Sequence, residues 1–424
     1  MEALAYAEVC DVLFRGGEGR CVLSVLPGVP DGGGERGRGG DRRGQRSATL
    51  SAVRAIDGFA LRAAAEFRKS NGDFFFSPYS ILSVLGMAYE GSAGVTRETM
   101  AKALSLDDGF HASLGALSAG LRERMDGQDG QPVLNDANRL WLMKGLAPRS
   151  GFGDVLSRDY GGAAEELDFK DAPEEARRQI NGWVSDRTKG RIEDLILDVP
   201  KGTRMILTNA VYFKGRWLRP FHPELTVPEP FHVTEAESRD VPMMKEDREY
   251  LYAEAEGVKL LKLSYGGSAS MLLAMPEQGA MDELLKDLAH RDGLDLIRRW
   301  QASMTKHQVD VWLPKFKMEE RYELKELLTA FGIGQAFSDF ADFSAMTESK
   351  EPICIDSVVH KTFLEVDEEG AEAAAATGMT MVYATALPPQ DPPRAEFHAD
   401  RPFLFFILDD MTGAILFMGT QSFK

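Results

Sequence analysis

Hydrophobic positions along this chain fall into two rhythms. From Thr49 onward, Val53, Ile56, Ala60, Ala63 and Phe67 recur at helical spacing, which predicts an amphipathic helix. A short strand is expected at Phe74–Phe76, and Ser77-Pro78 then supplies an N-cap with proline at the first helical position. The apolar helix that follows should stop near Gly91. Asp171 with Glu174 reads as a capping pair for a helix through Ile180, Trp183 and Val184 that ends before Gly190. Met205 to Phe213 is apolar on both faces, as in a strand covered on two sides. Gln308 to Met318 alternates but is interrupted by Pro314, which points to a sheet edge. Glu320 to Phe331 reads as a helix with Leu324, Leu327, Leu328 and Phe331 on one face. Phe403–Leu408 and Ala414–Met418, around Asp409 to Gly413, read as a buried hairpin. Between these last two regions, Val358, His360, Thr362, Leu364 and Val366 alternate with more polar positions and predict a further strand.

Composition narrows what such a chain can do. With 424 residues and 44% hydrophobic content it can bury a large core. A formal net charge of -17 argues against nucleic acid or an anionic membrane as partner, because both need a basic footprint. No transmembrane segment or internal repeat is visible. Residues Gly28 to Arg46 are rich in Gly and Arg with no period to bury, so 1–46 is expected to be a disordered extension and 47–424 a single domain. The Gly-x-Gly matches in that segment lack the flanking strand and helix of a phosphate cradle. Cys10, Cys21 and Cys354 show no metal-ligand or redox spacing. No Asn-x-Ser/Thr acceptor and no clear signal-peptide pattern occur, so a cytosolic or nucleocytoplasmic location is expected.

Chemistry of the enzymatic kind finds no home. There is no Gly-x-Ser-x-Gly elbow and no His-Glu-x-x-His helix, and the seven histidines are scattered. Neither metal nor cofactor is expected, and the chain reads as acted upon by an enzyme, not as one. The informative stretch is Val366 to Thr380, which joins the strand ending at Val366 to a long loop. After Gly370 it is almost entirely small, and no proline appears before Pro388. A segment able to slide between existing strands needs small side chains and every backbone donor. A short alanine-rich helix is the competing local reading.

Asn71–Ile81 (NGDFFFSPYSI), Thr208–Trp217 (TNAVYFKGRW), Val311–Lys317 (VWLPKFK), His360–Thr377 and Phe397–Phe406 (FHADRPFLFF), in this order, resemble signatures of the serpin family of serine protease inhibitors. The resemblance implies an α+β fold of three β-sheets with about nine helices and an exposed reactive-centre loop at about 371–395. It implies a hinge formed by Glu368, Glu369, Gly370, Ala371, Glu372, Ala373, Ala374, Ala375, Ala376 and Thr377. It assigns Ser77, Ser80, Asn209 and His360 to a polar shutter beneath the main sheet, and Trp217, Lys315 and Glu368 to the breach where the loop first enters. Taken alone, His360 is equally a hydrogen-bonded core histidine, and the Lys315–Glu368 pair a surface ion pair worth under ~1 kcal/mol.

Counting fourteen residues beyond Gly370 puts the bond attacked by a protease at Ala384-Thr385, with Tyr383-Ala384 as the alternative register. Alternation would turn Ala371, Ala373, Ala375 and Thr377 toward the core, all of them small. Pro388, Pro389, Pro392 and Pro393 follow the bond, where the chain stays outside the sheet. The resemblance thus implies an inhibitor of a serine-type endopeptidase of elastase- or chymotrypsin-like specificity, acting as a suicide substrate with loop insertion. Its partner would be the target protease in a covalent acyl complex, the chain itself being a monomer. Heparin binding is disfavoured, since Gly109 to Met125 carries only Arg122 and Arg124 as neighbouring cations. A non-inhibitory binding or chaperone-like serpin, a cysteine protease as target, and a loop cut as ordinary substrate are the alternatives. The small hinge weighs against the first; Ala371 departs mildly from the Thr or Ser common there.

Overall fold

The computed structural model describes residues 36–128, 131–290, 292–370 and 392–424. The chain divides at Asp41–Arg42, and the unit Arg42–Lys424 carries every strand of the described residues. Helix α1 (Arg36–Asn71) begins inside the Gly/Arg-rich segment expected to be linker. Once the turns around Ala52, Ile56 and Phe59 are nucleated by burial, extending a helix backward costs less than starting one. Strand β1 (Phe75–Phe76) and helix α2 (Pro78–Glu90) follow as expected. The Ser77 side chain caps α2 by accepting the Ser80 N–H, and Gly91 closes it. Helices α3 (Gly94–Leu104) and α4 (Phe110–Arg124) lead to strand β2 (Val133–Met143), helix α5 (Ser150–Val155) and strand β3 (Ala163–Leu167).

Helix α6 (Pro173–Arg187) is present, but its N-cap is Ala172 with no side-chain bond, not the expected Asp171. Asp168 organises this turn instead: its carboxylate accepts the Asp171 N–H and its carbonyl the Ala172 N–H. Strand β4 (Met205–Lys214) is buried from Met205 to Phe213, as its two-faced apolarity predicts. Strands β5 (Val227–His232), β6 (Ser238–Ala255), β7 (Val258–Ser264) and β8 (Ala269–Pro276) precede helices α7 (Met281–Ala289) and α8 (Gly293–Ser303).

The alternating run at Gln308–Met318 proves to be two strands in two sheets, β9 (Thr305–Pro314) and β10 (Phe316–Glu323). Proline ends β9 where the chain changes sheet, and β10, not β9, lies at a sheet edge. The helix expected from Glu320 is accordingly shorter: Glu320 to Glu323 belong to β10, and α9 (Lys325–Leu328) continues as one wide turn, Thr329–Ile333. Pairing of β10 with its neighbour overrides the local helical spacing. Strand β11 (Ser357–Val366) precedes the loop, and β12 (Arg394–His398), β13 (Phe403–Asp409) and β14 (Ile415–Gln421) complete the chain, the last two as the expected hairpin.

Among the described residues the strands form a nine-stranded and a five-stranded sheet. The second and third sheets of the expected α+β fold are continuous through β6, whose 18 residues pair with β5 at the first end, with β9 from Met243 to Tyr252 and with β7 from Leu251 to Ala255. The five-stranded sheet runs β10-β11-β4-β2-β3. One face lies on the main core; the other is covered by α6 through Ile180 and Val184 against Trp141, Ala210 and Val359. Four of its strands hold the site.

Candidate functional site

Strands β11 and β4 are parallel neighbours, paired from Ser357↔Ile206 to Phe363↔Tyr212. Each has an antiparallel partner on its other side, β10 and β2. Beyond Phe363 the seam opens: Leu364, Glu365 and Val366 continue to pair with β10 but no longer with β4. A parallel ladder is slightly weaker per residue than an antiparallel one, and this one already ends short of the loop.

The four expected shutter residues meet at this seam. The ladders place Tyr322, His360, Asn209 and Asn138 in one row across four strands. All are buried, and His360 and Asn209 are wholly so. The Ser77 N–H donates to His360 Nε2 at 3.1 Å, so the ring hydrogen sits on Nδ1 and donates to Asn209 Oδ1 across the seam. Asn209 Nδ2 donates to Ser80 Oγ and to Asn138 Oδ1. Ser80 Oγ donates to the same Asn138 oxygen, and Ser77 Oγ to the Leu416 carbonyl at 2.7 Å. Burial holds the His360 pKa down to about 3, so the imidazole stays neutral and keeps its acceptor nitrogen for Ser77. Asn138 was not anticipated. Nothing in its local sequence marks it; only the register with Asn209 does.

Just beyond the end of β11 the second expected group assembles. Glu368 Oε2 accepts from Lys315 Nζ at 2.6 Å and Oε1 from Thr226 Oγ1 at 2.8 Å. Burial pushes the Glu368 carboxyl up, but these hydrogen bonds outweigh it and its pKa lies below the ordinary value. Trp217 stacks on Tyr265 with ring centres 4.4 Å apart, and its indole N–H donates to the Asp367 carbonyl. The segment around Trp217 also holds the hinge by its backbone: Trp217 N–H donates to Glu369 O and Phe221 N–H to Glu368 O, each at 2.8 Å. Gly370 closes the turn at φ +124°, and a Cβ there would lie 2.2 Å from the Gly215 carbonyl oxygen. Only glycine fits both demands. Thr226 and the 216–221 backbone were not anticipated, being loop residues with no pattern of their own.

Glu368, Glu369 and Gly370 are therefore placed, whereas Ala371 to Thr377 and the reactive-bond residues Tyr383, Ala384 and Thr385 lie outside the described residues. After the loop, the Pro393 carbonyl accepts the Gln308 N–H and β12 pairs with β9 in the other sheet. The loop thus leaves from one sheet and returns to the other. Of the two cations weighed for heparin, Arg124 is bound at 3.0 Å to the fully buried Asp409 carboxylate. No described helix is long and apolar enough to cross a membrane.

Comparison with known proteins gives one answer throughout. The family model for serpins (serine protease inhibitors) matches residues 54–422. A serpin-like protein of Thermococcus kodakarensis is 37% identical over 372 residues, covering 87% of this chain and 84% of its own. The leukocyte elastase inhibitor of Bos taurus is 36% identical over 362 residues, covering 83% and 93%. Among solved structures, Serpin48 of the insect Tenebrio molitor matches with TM-score 0.73 and 28% identity, covering 90% of this chain and 98% of its own. Uncleaved ovalbumin matches with TM-score 0.74 and 29% identity, covering 89% and 100%.

Proposed function

The chain belongs to the serpin family, and from that premise we propose that it traps a serine endopeptidase of elastase- or chymotrypsin-like specificity as a suicide substrate. The observation that carries this reading is the seam. β11 and β4 run parallel, part at the end from which the loop departs, and are followed by a glycine turn and a small, proline-free segment. A chain that leaves β11, reverses at Gly370 and enters the seam runs antiparallel to both strands. One parallel ladder is replaced by two antiparallel ones, a net gain of backbone pairing.

In the proposed reaction the protease serine Oγ attacks the Ala384 carbonyl carbon, the bond to Thr385 breaks, and the new amine leaves with a proton from the protease's own general acid. An ester joins inhibitor to enzyme. About fourteen inserted residues at ~3.3 Å each then carry that ester roughly 45 Å along the sheet before water cleaves it. The uncut fold must be kinetically held short of its most stable sheet; release of strain by serpin loop insertion is a known kind of switch. A relative named leukocyte elastase inhibitor supports an elastase-like target.

Incubation with an elastase-type protease should yield a complex that survives boiling in detergent. Ala375→Pro should convert the protein to a substrate cut without trapping, because proline removes a ladder donor. Cleavage without any trapped species across serine and cysteine proteases refutes inhibition, and equal trapping by Ala375→Pro refutes insertion of this segment.

A further inference from the structure

Behind the segment that holds the hinge lies a cavity of about 210 Å³ that protease trapping does not use. Its wall is formed by Trp217 to Arg219 with Phe221, by Glu249 to Leu251 of β6, by Lys262 to Ser264 of β7 and by Lys306. An enclosed apolar cavity of ~150 Å³ suffices for benzene, so this open cleft has room for a substituted ring. Leu218 and Leu251 are 64% and 38% exposed, which leaves an apolar rim open to solvent beside the Tyr250 and Phe221 rings.

Charge at this place runs against the protein's net -17. Lys262 is paired with Asp410 at 2.7 Å and Lys306 with Glu249 at 2.6 Å, whereas exposed Arg219 has no carboxylate partner among the described residues. An apolar cleft with one uncommitted guanidinium at its mouth matches a flat apolar body bearing a single carboxylate.

The same short segment faces two ways. Toward the cavity it is tied to β7 by the Leu218 N–H on the Ser264 carbonyl at 2.8 Å; toward the loop, the Trp217 and Phe221 N–H groups hold Glu369 and Glu368. We propose that this cavity is a binding site for a small aryl carboxylate, and that its occupant tightens the hold of residues 217–221 on the hinge. Arg219 takes the carboxylate, Leu218, Leu251 and the aromatic rings take the ring system, and the bound segment opens less often.

Naphthalene-2-carboxylate serves as the probe on the uncut full-length protein. Calorimetry should find saturable binding at one site. Arg219→Glu should weaken it by about tenfold or more, as should exchanging the probe for the neutral naphthalene-2-carboxamide. Leu251→Trp, which fills the cavity from an exposed position, should abolish it while leaving the melting temperature near that of the parent. Hydrogen exchange at the Trp217 and Phe221 amides should slow when the probe is bound. Absent or nonsaturable binding, or equal binding by parent and both variants, overturns the site; binding without slower exchange at those two amides overturns the coupling to the hinge. None of these readings uses a protease, so they stand or fall apart from the inhibitory function.

Discussion

Two polar groups border the same seam and are built on opposite terms. The row through His360 and Asn209 is neutral, buried and bonded side chain to side chain across the two strands that the proposed insertion would part. The group around Glu368 is charged, with Lys315 37% exposed, and its hold on the hinge is largely by backbone hydrogen bonds from 217–221. Water can replace what the second group loses when it opens. It cannot readily replace what the first loses, because stranded buried partners bear the full desolvation penalty. The entrance to the seam is thus more easily released than its middle, which is the order that the proposed insertion needs if it is not to occur unprompted.

The largest expected effect tests whether the seam stores energy at all. A cut near Ala384 should raise the thermal midpoint on the order of tens of degrees, since a new central strand would complete two ladders; most proteins are weakened by a nick. Calorimetry of cut and uncut forms checks it, and coincident melting would mean that no strain is held.

Next, Asn209→Leu strands the His360 Nδ1–H and removes the donor to Ser80 and Asn138. Roughly 1–3 kcal/mol should be lost for each buried partner left unpaired. Urea unfolding of the uncut protein measures this, and a loss below that of one surface pair would make the row dispensable.

A pH experiment separates the neutral row from the charged entrance. His360 titrates near 3 in the fold and near its ordinary 6.5 when unfolded, so between those values the unfolded chain binds more protons. Its contribution is full above pH 6.5 and is lost as pH falls toward 3. Asp57, pushed up to about 7 by burial, tilts the other way, its stabilisation fading as pH rises through that value. The comparison must therefore be parent against His360→Gln: the gap between their urea midpoints should shrink from pH 7 to pH 5. A constant gap would show that His360 is not held neutral.

Smallest should be Glu368→Gln. The partly exposed pair with Lys315 is worth under ~1 kcal/mol to the uncut fold. What should change is rate: with the charge gone, the fraction of cleavage events that end in a trapped complex should shift although the melting temperature hardly moves. A large loss of stability would place Glu368 among the structural residues and erase the contrast.

Much of this was legible in the sequence because it is local chemistry. The cap Ser77 with Pro78, the two-faced strand Met205 to Phe213, the hairpin after Phe403 and the small hinge after Gly370 each follow from side-chain size, spacing or backbone freedom within a few residues. Family resemblance added which distant polar residues meet. What remained hidden depends on who sits opposite whom. Glu320 to Glu323 carry a helical spacing yet join β10, because pairing with β11 outweighs a weak local preference; Asn138 matters only because β2 sets it against Asn209; and β6 unites two expected sheets by its length alone. Propensity and pattern act along the chain and are written in it. Register, the opening of a seam past Phe363 and the facing of one short segment onto both hinge and cavity arise from contacts between elements far apart in sequence, which only the folded chain brings together.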